Sequence, residues 1–305
     1  MQLPTSLTVR PATMADADAV FELASAASMA DVGERVLDRD DIVTDWTAPG
    51  FVLATQTVMV FAADADGPVA FAQIAGERAD VDVHPDWRRR GIGEWLVRWT
   101  EERALELSPE RDVVRIGQTV LDGVDGADEL FESHAYEPLW DSWILRLPPE
   151  REVADPPPVT GLTIRSATTA DERRAYEIIE RAFGVWDHRE ARSFEEWQSS
   201  VSSREIFDPE LLLIAELDGV AVGAAVGLQF DEEGWIDQLA VDSDARGRGI
   251  GRALLAALFE KFRSRGDTKI GLNTDSRTGA LGLYLDVGME VEHTYRRWSK
   301  VLHRS

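Results

Sequence analysis

Arg246-Gly247-Arg248-Gly249-Ile250-Gly251 puts small residues and cations together where a helix would begin. Glycines there leave backbone N–H groups bare enough for a ligand to touch. Those N–H groups and the helix dipole favour a phosphate, and the arginines add charge. The stretch reads as a pyrophosphate cradle. An apolar, strand-like run from Trp235 to Val241 precedes it and holds one carboxylate, Asp237, in the same strand parity as Leu239 and Val241. A second cradle, Arg88-Arg89-Arg90-Gly91-Ile92-Gly93, stands 158 residues earlier.

A cradle of this kind needs a strand to lead in and a helix to lead out, and the chain supplies both twice. After the second loop, Ile250, Leu254, Leu258 and Phe262 recur at helical spacing, and Gly266 is the expected stop. Leu7 to Asp16 and Leu162 to Asp171 are identical at seven of ten positions. A duplicated unit of about half the chain is the economical reading, since a solenoid needs shorter and more numerous repeats. The expected division is 1–150, a proline-rich spacer over 151–160, and 161–305.

Each half reads in the same order. In the second, a strand from Leu162 to Arg165 precedes a helix capped near Thr169 and a helical stretch from Ser193 to Val201. Strands Leu211 to Leu217 and Val220 to Phe230 are joined by Asp218-Gly219, a strong hairpin signal. The strand ending at Val241, the long helix, a strand from Lys269 to Asn273, a helix from Thr278 to Val287 and a last strand over Tyr295 to Leu302 follow. In the first half, strands are expected near Thr57 to Ala63, Val69 to Ile74, Ala79 to Val83 and Val113 to Val120. The fold class is α/β (mixed α+β): two tandem domains, each a twisted, mostly antiparallel sheet flanked by helices. A Rossmann dinucleotide unit does not fit, because its glycine loop directly follows the first strand. Here the loop follows the fourth.

Bulk composition narrows the function. The chain has 305 residues, 44% hydrophobic and 29% charged, as expected of a soluble globular protein. No run is apolar enough for a membrane span, and the N-terminus lacks the basic and apolar regions of a signal peptide. There are no cysteines, so thiolate nucleophiles, disulfides and Cys-based zinc sites are ruled out; a reducing cytoplasm is the expected location. No His/Asp/Glu cluster has metal spacing, so no metal is expected. A net charge of −24 argues against nucleic acid as a partner and suits a cationic substrate such as an amine.

Strand, loop and tyrosine-bearing helix in this order resemble the GNAT superfamily of acetyl-CoA-dependent acetyltransferases, here as a tandem pair covering essentially the whole chain. The family's loop pattern is Gln or Arg, two residues, Gly, one residue, then Gly or Ala. Arg246, Gly249 and Gly251 match it, as do Arg88, Gly91 and Gly93. Leu239-Ala240-Val241 resembles the strand that pairs with the pantetheine arm. Thr278-Gly279-Ala280-Leu281-Gly282-Leu283-Tyr284 resembles the helix whose tyrosine sits near the thioester sulfur.

The resemblance implies direct attack by an amine on the acetyl carbonyl. The departing thiolate then needs a proton, which a tyrosine with a pKa near ~10 can supply. Tyr284 is the expected general acid and Asp237 the expected base or water-orienting group. Glu232 and Glu233 are weaker candidates for the base. Leu239, Ala240 and Val241 are expected on pantetheine. Gly247, Arg248, Gly249, Ile250, Gly251 and Arg252, beside Arg246, are expected on the pyrophosphate, and Asn273 on the amide arm. Trp186, His188 and Trp235 fall where relatives form the acceptor pocket, though core packing is the commoner duty of tryptophan. In the first half, Phe131 aligns with Tyr284 and Glu77 with Trp235. Phenylalanine donates no proton. Val81, Asp82, Val83, Arg88, Arg89, Arg90, Gly91, Ile92 and Gly93 are therefore expected to bind acetyl-CoA without catalysis. The leading expectation is an N-acetyltransferase acting on a small-molecule amine, as a monomer or homodimer. The alternatives are an acyl-CoA-binding or sensing protein, and an acetyltransferase acting on a protein N-terminus.

Overall fold

A computed structural model describes residues 3, 6–37, 39–184, 191–204, 206–230 and 233–304. Trp186, His188 and Glu232 lie outside the described residues. The chain divides into two compact units, Met1–Asp141 with Tyr295–Ser305, and Ser142–Thr294.

The first unit contains β1 (Leu7–Arg10), α1 (Ala17–Val32), α2 (Arg39–Thr47), α3 (Leu53–Gln56), β2 (Thr57–Ala62), β3 (Pro68–Ala75), β4 (Arg78–Val83), α4 (Ile92–Leu107), β5 (Val113–Leu121), α5 (Ala127–Ser133) and the start of β6 (Glu137–Leu147). The second contains the rest of β6, then β7 (Leu162–Ser166), α6 (Glu172–Phe183), α7 (Phe194–Ser200), β8 (Phe207–Leu217), β9 (Val220–Phe230), β10 (Glu233–Val241), α8 (Ile250–Ser264), β11 (Lys269–Asp275), α9 (Leu281–Asp286) and the start of β12 (Glu290–His303).

Both sheets are mixed and mostly antiparallel. In the first unit β1 to β4 pair antiparallel in sequence order, and β4 meets β5 in parallel. In the second, β7 to β10 do the same and β10 meets β11 in parallel. Each unit takes its last strand from the other half of the sequence. Ser142 to Leu147 of β6 pair with β11, and Tyr295 to His303 of β12 pair with β5. The strand expected over Tyr295 to Leu302 thus forms, and its ladder partner is Val113–Leu121.

The ten-residue repeat has a structural cause. Arg10 grips both carboxylate oxygens of Asp16 at 2.8 and 2.6 Å, and Asp16 also accepts from the Thr13 N–H and hydroxyl. Arg165, Asp171 and Thr168 repeat the clasp. Each closes the turn from an edge strand into a capping-box helix start. The guanidinium holds each aspartate well below the usual carboxylate range, so this stabilisation is present above that range and fades only in strong acid.

Period-2 alternation gives the second sheet two apolar faces. Leu211, Leu213, Ala225 and Ile236 pack under Leu254, Leu258 and Phe262 of α8. Leu212, Ile214, Ala224 and Val226 pack against Ile178 and Ile179 of α6 and Trp197 of α7. The hairpin at Asp218-Gly219 has φ of 51° and 80°, the left-handed pair of a type I′ turn.

Candidate active site

The parallel strands β10 and β11 part company halfway. Glu233 to Ile236 pair with Lys269 to Leu272, and the ladder stops there among the described residues. Beyond it, among the described residues, β10 continues on β9 and Asn273 to Asp275 continue on β6. The register of β10 against β9 shifts between Ile236 and Gln238, so Asp237 is a β-bulge. The extra residue bends β10 away and leaves one backbone edge of the Asp237-to-Val241 segment open at the fork. The bulge also interrupts strict alternation. Ile236 packs on the α8 side and Ala240 on the α6/α7 side, although both are even-numbered. Strand parity is therefore broken at the bulge and does not put Asp237 on one face with Leu239 and Val241.

The first unit has a shorter parallel contact, Arg78 and Ala79 with Gly117 and Gln118, and β3 pairs with β4 from Ala70–Val83 to Ala75–Arg78 without a shift. Matching Arg78–Gly117 to Trp235–Gly271 makes Arg78 the counterpart of Trp235. The expected alignment of Glu77 with Trp235 is corrected by one residue. Asp237 is the inserted residue and has no counterpart in the first unit.

The Asp237 carboxylate is half-buried and accepts from Gln238 Nε2 at 3.0 Å. Gln238 is aimed by Trp197, whose Nε1 donates to Gln238 Oε1 at 3.0 Å. Burial pushes the Asp237 carboxyl upward, while Arg204, the Gln238 donor and Arg192 pull it back. A carboxylate destabilised by burial and still oriented suits a base. Glu233 is committed elsewhere, since Arg146 grips it and also Glu292, the latter at 2.7 Å. Neither Trp197 nor Gln238 was legible as a site residue; a Trp/Gln pair across forty residues carries no local pattern. Trp197→Phe leaves the Gln238 oxygen buried without a donor. It is expected to cost about 1–3 kcal/mol in denaturant unfolding, against little change if the pair is incidental.

Tyr284 lies on α9 and is 7% exposed. Burial raises its phenol to about 12, and a hydrogen bond with Thr274 pulls the other way. Thr274 stands two residues past the last β10–β11 pair, which puts the phenol on the β11 arm of the fork. Thr274 is itself 3.0 Å from the Thr278 hydroxyl, which donates to the Asp275 carbonyl at 2.8 Å. The helix expected from Thr278 starts at Leu281 because the Thr278 hydroxyl caps a turn by accepting from the Ala280 N–H. Asn273 is exposed beside Thr274 on the same arm. In the first unit, Leu130 packs on Gly93 as Leu283 packs on Gly251. That equivalence puts Phe131 in the place of Tyr284, stacked on Trp298 at 5.6 Å.

At the end of β10, Arg246 Nε donates to the Val241 carbonyl at 3.0 Å. Gly247 and Gly249 turn with φ of 74° and 86°, and Gly249 caps α8. A side chain at either φ is strained, so the glycines hold a tight loop and keep the N–H groups uncovered. The first-turn amides of α8, from Ile250, Gly251 and Arg252, have no acceptor within the helix. Arg248 is exposed, and Arg252 reaches Asp286 at 2.9 Å. Leu239 and Val241 are half-buried on the α8 side. These residues would hold a pyrophosphate and an extended amide arm.

The first loop is built alike. Gly91 caps α4 with φ of 79°, Ile92 and Gly93 open that helix, and Arg89 takes φ of 60° where the second loop has Gly247. Its other arginines are engaged. Arg88 grips Asp31 at 2.5 and 2.8 Å and bonds the Val83 carbonyl, and Arg90 lies over Trp87 at 4.5 Å. Val81, Asp82 and Val83 are half-buried. Desolvation and the neighbouring Asp80 push Asp82 up to about 6. A carboxyl raised in the folded state favours folding below its ordinary pKa and loses that advantage as pH climbs toward 6. Asp82→Asn is therefore expected to raise the melting temperature at pH 7 by a few degrees and to flatten its fall between pH 4 and 6. Equal melting curves for the two proteins across that range would contradict it.

Among the described residues no helix is long and apolar enough to cross a membrane. Comparison with known proteins adds four findings. Residues 172–289 match the model of the acetyltransferase (GNAT) family. A mycothiol acetyltransferase of Saccharopolyspora erythraea is 30% identical over 215 residues, covering 68% of this chain and 70% of that protein. A crystal structure of a GCN5-related N-acetyltransferase from Sphaerobacter thermophilus superposes with a TM-score of 0.83 at 33% identity, covering 100% of this chain and 98% of the other. A tandem GNAT protein from the clavulanic acid biosynthesis pathway shares the fold, with a TM-score of 0.69 at 16% identity over 98% of this chain and 99% of its own.

Proposed function

The chain belongs to the acetyltransferase (GNAT) family, and from that membership we propose that its second unit transfers an acetyl group from acetyl-CoA to the primary amine of a small molecule by direct attack. The observation that carries this reading is the fork: the bulged carboxylate and the open strand edge are on β10, the glycine-capped helix follows β10, and the phenol, on the helix after β11, bonds to Thr274 of that strand.

The residues divide the work. Open backbone groups of Leu239, Ala240 and Val241 take the amide arm, as an added strand would. Arg246 braces the loop, and the amides of Gly247 to Arg252 take the pyrophosphate. Asn273 meets the amide arm from the other side of the fork. Acetyl-CoA supplies the activated acyl group and a thiolate leaving group. Asp237 accepts the amine's proton, directly or through water. A β10 N–H steadies charge developing on the carbonyl oxygen. Tyr284 returns a proton to the departing sulfur. The net charge of −24 draws cationic amines toward the protein.

The first unit differs at both chemical positions, with Phe131 for the phenol and no bulge residue. It reads as a coenzyme-binding unit without turnover, through Val81 to Val83 and Arg88 to Gly93. The test uses the full chain. Acetyl-CoA binding is followed by calorimetry, and amine-dependent release of free thiol is followed across an amine library that includes the acceptor the relatives' name implies. Binding with thiol release supports the enzyme. Binding with no thiol release from any amine indicates a coenzyme sensor, and no binding sinks both readings.

A further inference from the structure

The two glycine loops present their leading arginine from the same seat. Arg88 and Arg246 both take φ −65° and ψ 160°. In each, Nε–H donates to the carbonyl that ends the preceding strand, Val83 at 3.2 Å and Val241 at 3.0 Å. The terminal nitrogens differ. Those of Arg246 meet no side chain among the described residues, and the residue is exposed. Those of Arg88 are both taken by Asp31, with Nη1 2.5 Å and Nη2 2.8 Å from its two oxygens, and the two side chains are only 25% and 18% exposed. Local rules do not favour Asp31 where it stands. It lies in the last turn of α1, two residues before the Gly33 cap, where the helix dipole opposes a negative charge. The second unit ties its first helix to the sheet with the opposite polarity: Arg181, in the last turn of α6, grips Asp242 at 2.8 and 3.0 Å. That tie suits the dipole and leaves the loop arginine uncommitted.

A second charged group of the first unit is used up from within. Trp46 Nε1 donates to Gln73 Oε1 at 2.9 Å, and Gln73 Nε2 donates to Asp80 at 2.9 Å and to Asp45 at 3.1 Å. This repeats the indole–amide–carboxylate chain of Trp197, Gln238 and Asp237. Both carboxylates, however, hold Arg78, which stands where the second unit has Trp235. Trp235 itself has its ring centroid 5.5 Å from the Arg146 guanidinium.

Resting on the reading of the first unit as a coenzyme binder, we propose that Asp31 is an internal competitor for the pyrophosphate, an autoinhibitory contact that holds the first cradle at low affinity while the second stays open. A pyrophosphate reaching Arg88 must displace a bidentate carboxylate, one of the strongest side-chain partners of a guanidinium. Displacement also leaves Asp31 at a helix C-terminus without its cation. Neither penalty applies at Arg246.

The test is calorimetry of acetyl-CoA binding to the full-length protein. Wild type is expected to bind one equivalent tightly and a second at least about tenfold more weakly, the worth of about one charge-assisted contact. Asp31→Asn keeps the shape and removes the charge; Asp31→Ser removes the contact. Each is expected to strengthen the weak class by about tenfold and to leave the tight class within about twofold. Adding Arg88→Ala to either should abolish the gain, which a mere loosening of α1 would not do. A second class seen only in the variants supports the proposal as fully. Two equal classes in wild type, or a weak class that neither substitution strengthens, overturn it and leave the first unit a coenzyme binder. One class alone, in wild type and in both variants, overturns it together with coenzyme binding by the first unit, while the transferase reading of the second unit stands.

Discussion

Tyr284→Phe is expected to lower kcat by about 10²–10⁴-fold, the usual worth of a positioned general acid, while the acetyl-CoA dissociation constant stays within about twofold. The phenol is buried and raised to about 12, so it holds its proton across the whole neutral range. That is a poor acid for a solvated thiolate. Inside the same desolvated fork, however, the leaving sulfur is destabilised as an anion for the same reason, which restores the driving force. The substitution removes one hydroxyl and leaves the ring. The protein already tolerates that ring: Phe131 fills the corresponding seat of the first unit, packed on Trp298. A drop in kcat therefore reads as lost proton transfer, and unchanged circular dichroism and melting would exclude a folding cause. Full turnover by the phenylalanine variant would remove Tyr284 from the chemistry.

Asp237→Asn is expected to have an effect of similar size, about 10²–10⁴-fold in kcat/KM, with a distinct signature in pH. Burial raises this carboxyl above its ordinary value. Activity needs the deprotonated form, so wild-type kcat/KM is present above the raised pKa and lost as pH falls through it. That acid limb should lie above the usual aspartate range and disappear in the asparagine variant. Gln238→Leu, which removes the donor that favours the charged form, should move the limb to still higher pH. The same burial costs the folded protein stability at neutral pH, so Asp237→Asn is also expected to melt higher than wild type, a trade between stability and function. An asparagine variant with wild-type kcat/KM and an intact acid limb would pass the role of base to another group.

The extent of what local sequence could say is clearest at the two glycine loops. Gly249 and Gly91 were legible because a helix cap is a local device, written within six residues, and both take the positive φ of such a cap. The duplicated Leu-Thr-x-Arg stretches were legible for the same reason, and their clasp also closes within ten residues. Elements came close to their expected bounds, as with α8 and the Asp218-Gly219 hairpin. The last helix started three residues late, because a hydroxyl cap at Thr278 replaced a first turn.

By itself the sequence determined the doubled α/β architecture, the glycine-capped helix starts, the tyrosine-bearing helix and the phenylalanine that aligns with its tyrosine in the first half. Each is encoded by periodicity or by a short motif, and such signals do not depend on distant partners. Only the tertiary structure decided that Asp237 is a bulge, that β10 leaves β11 at Ile236, that each sheet is closed by a strand from the other half of the sequence, and that Trp197, Thr274 and Arg146 bond to residues of the fork. A bulge is a mismatch between two strands, and a ladder partner or buried donor is chosen by packing across forty to two hundred residues. No single stretch of chain contains that information, because the free energy that selects it arises only when both partners are brought out of water together.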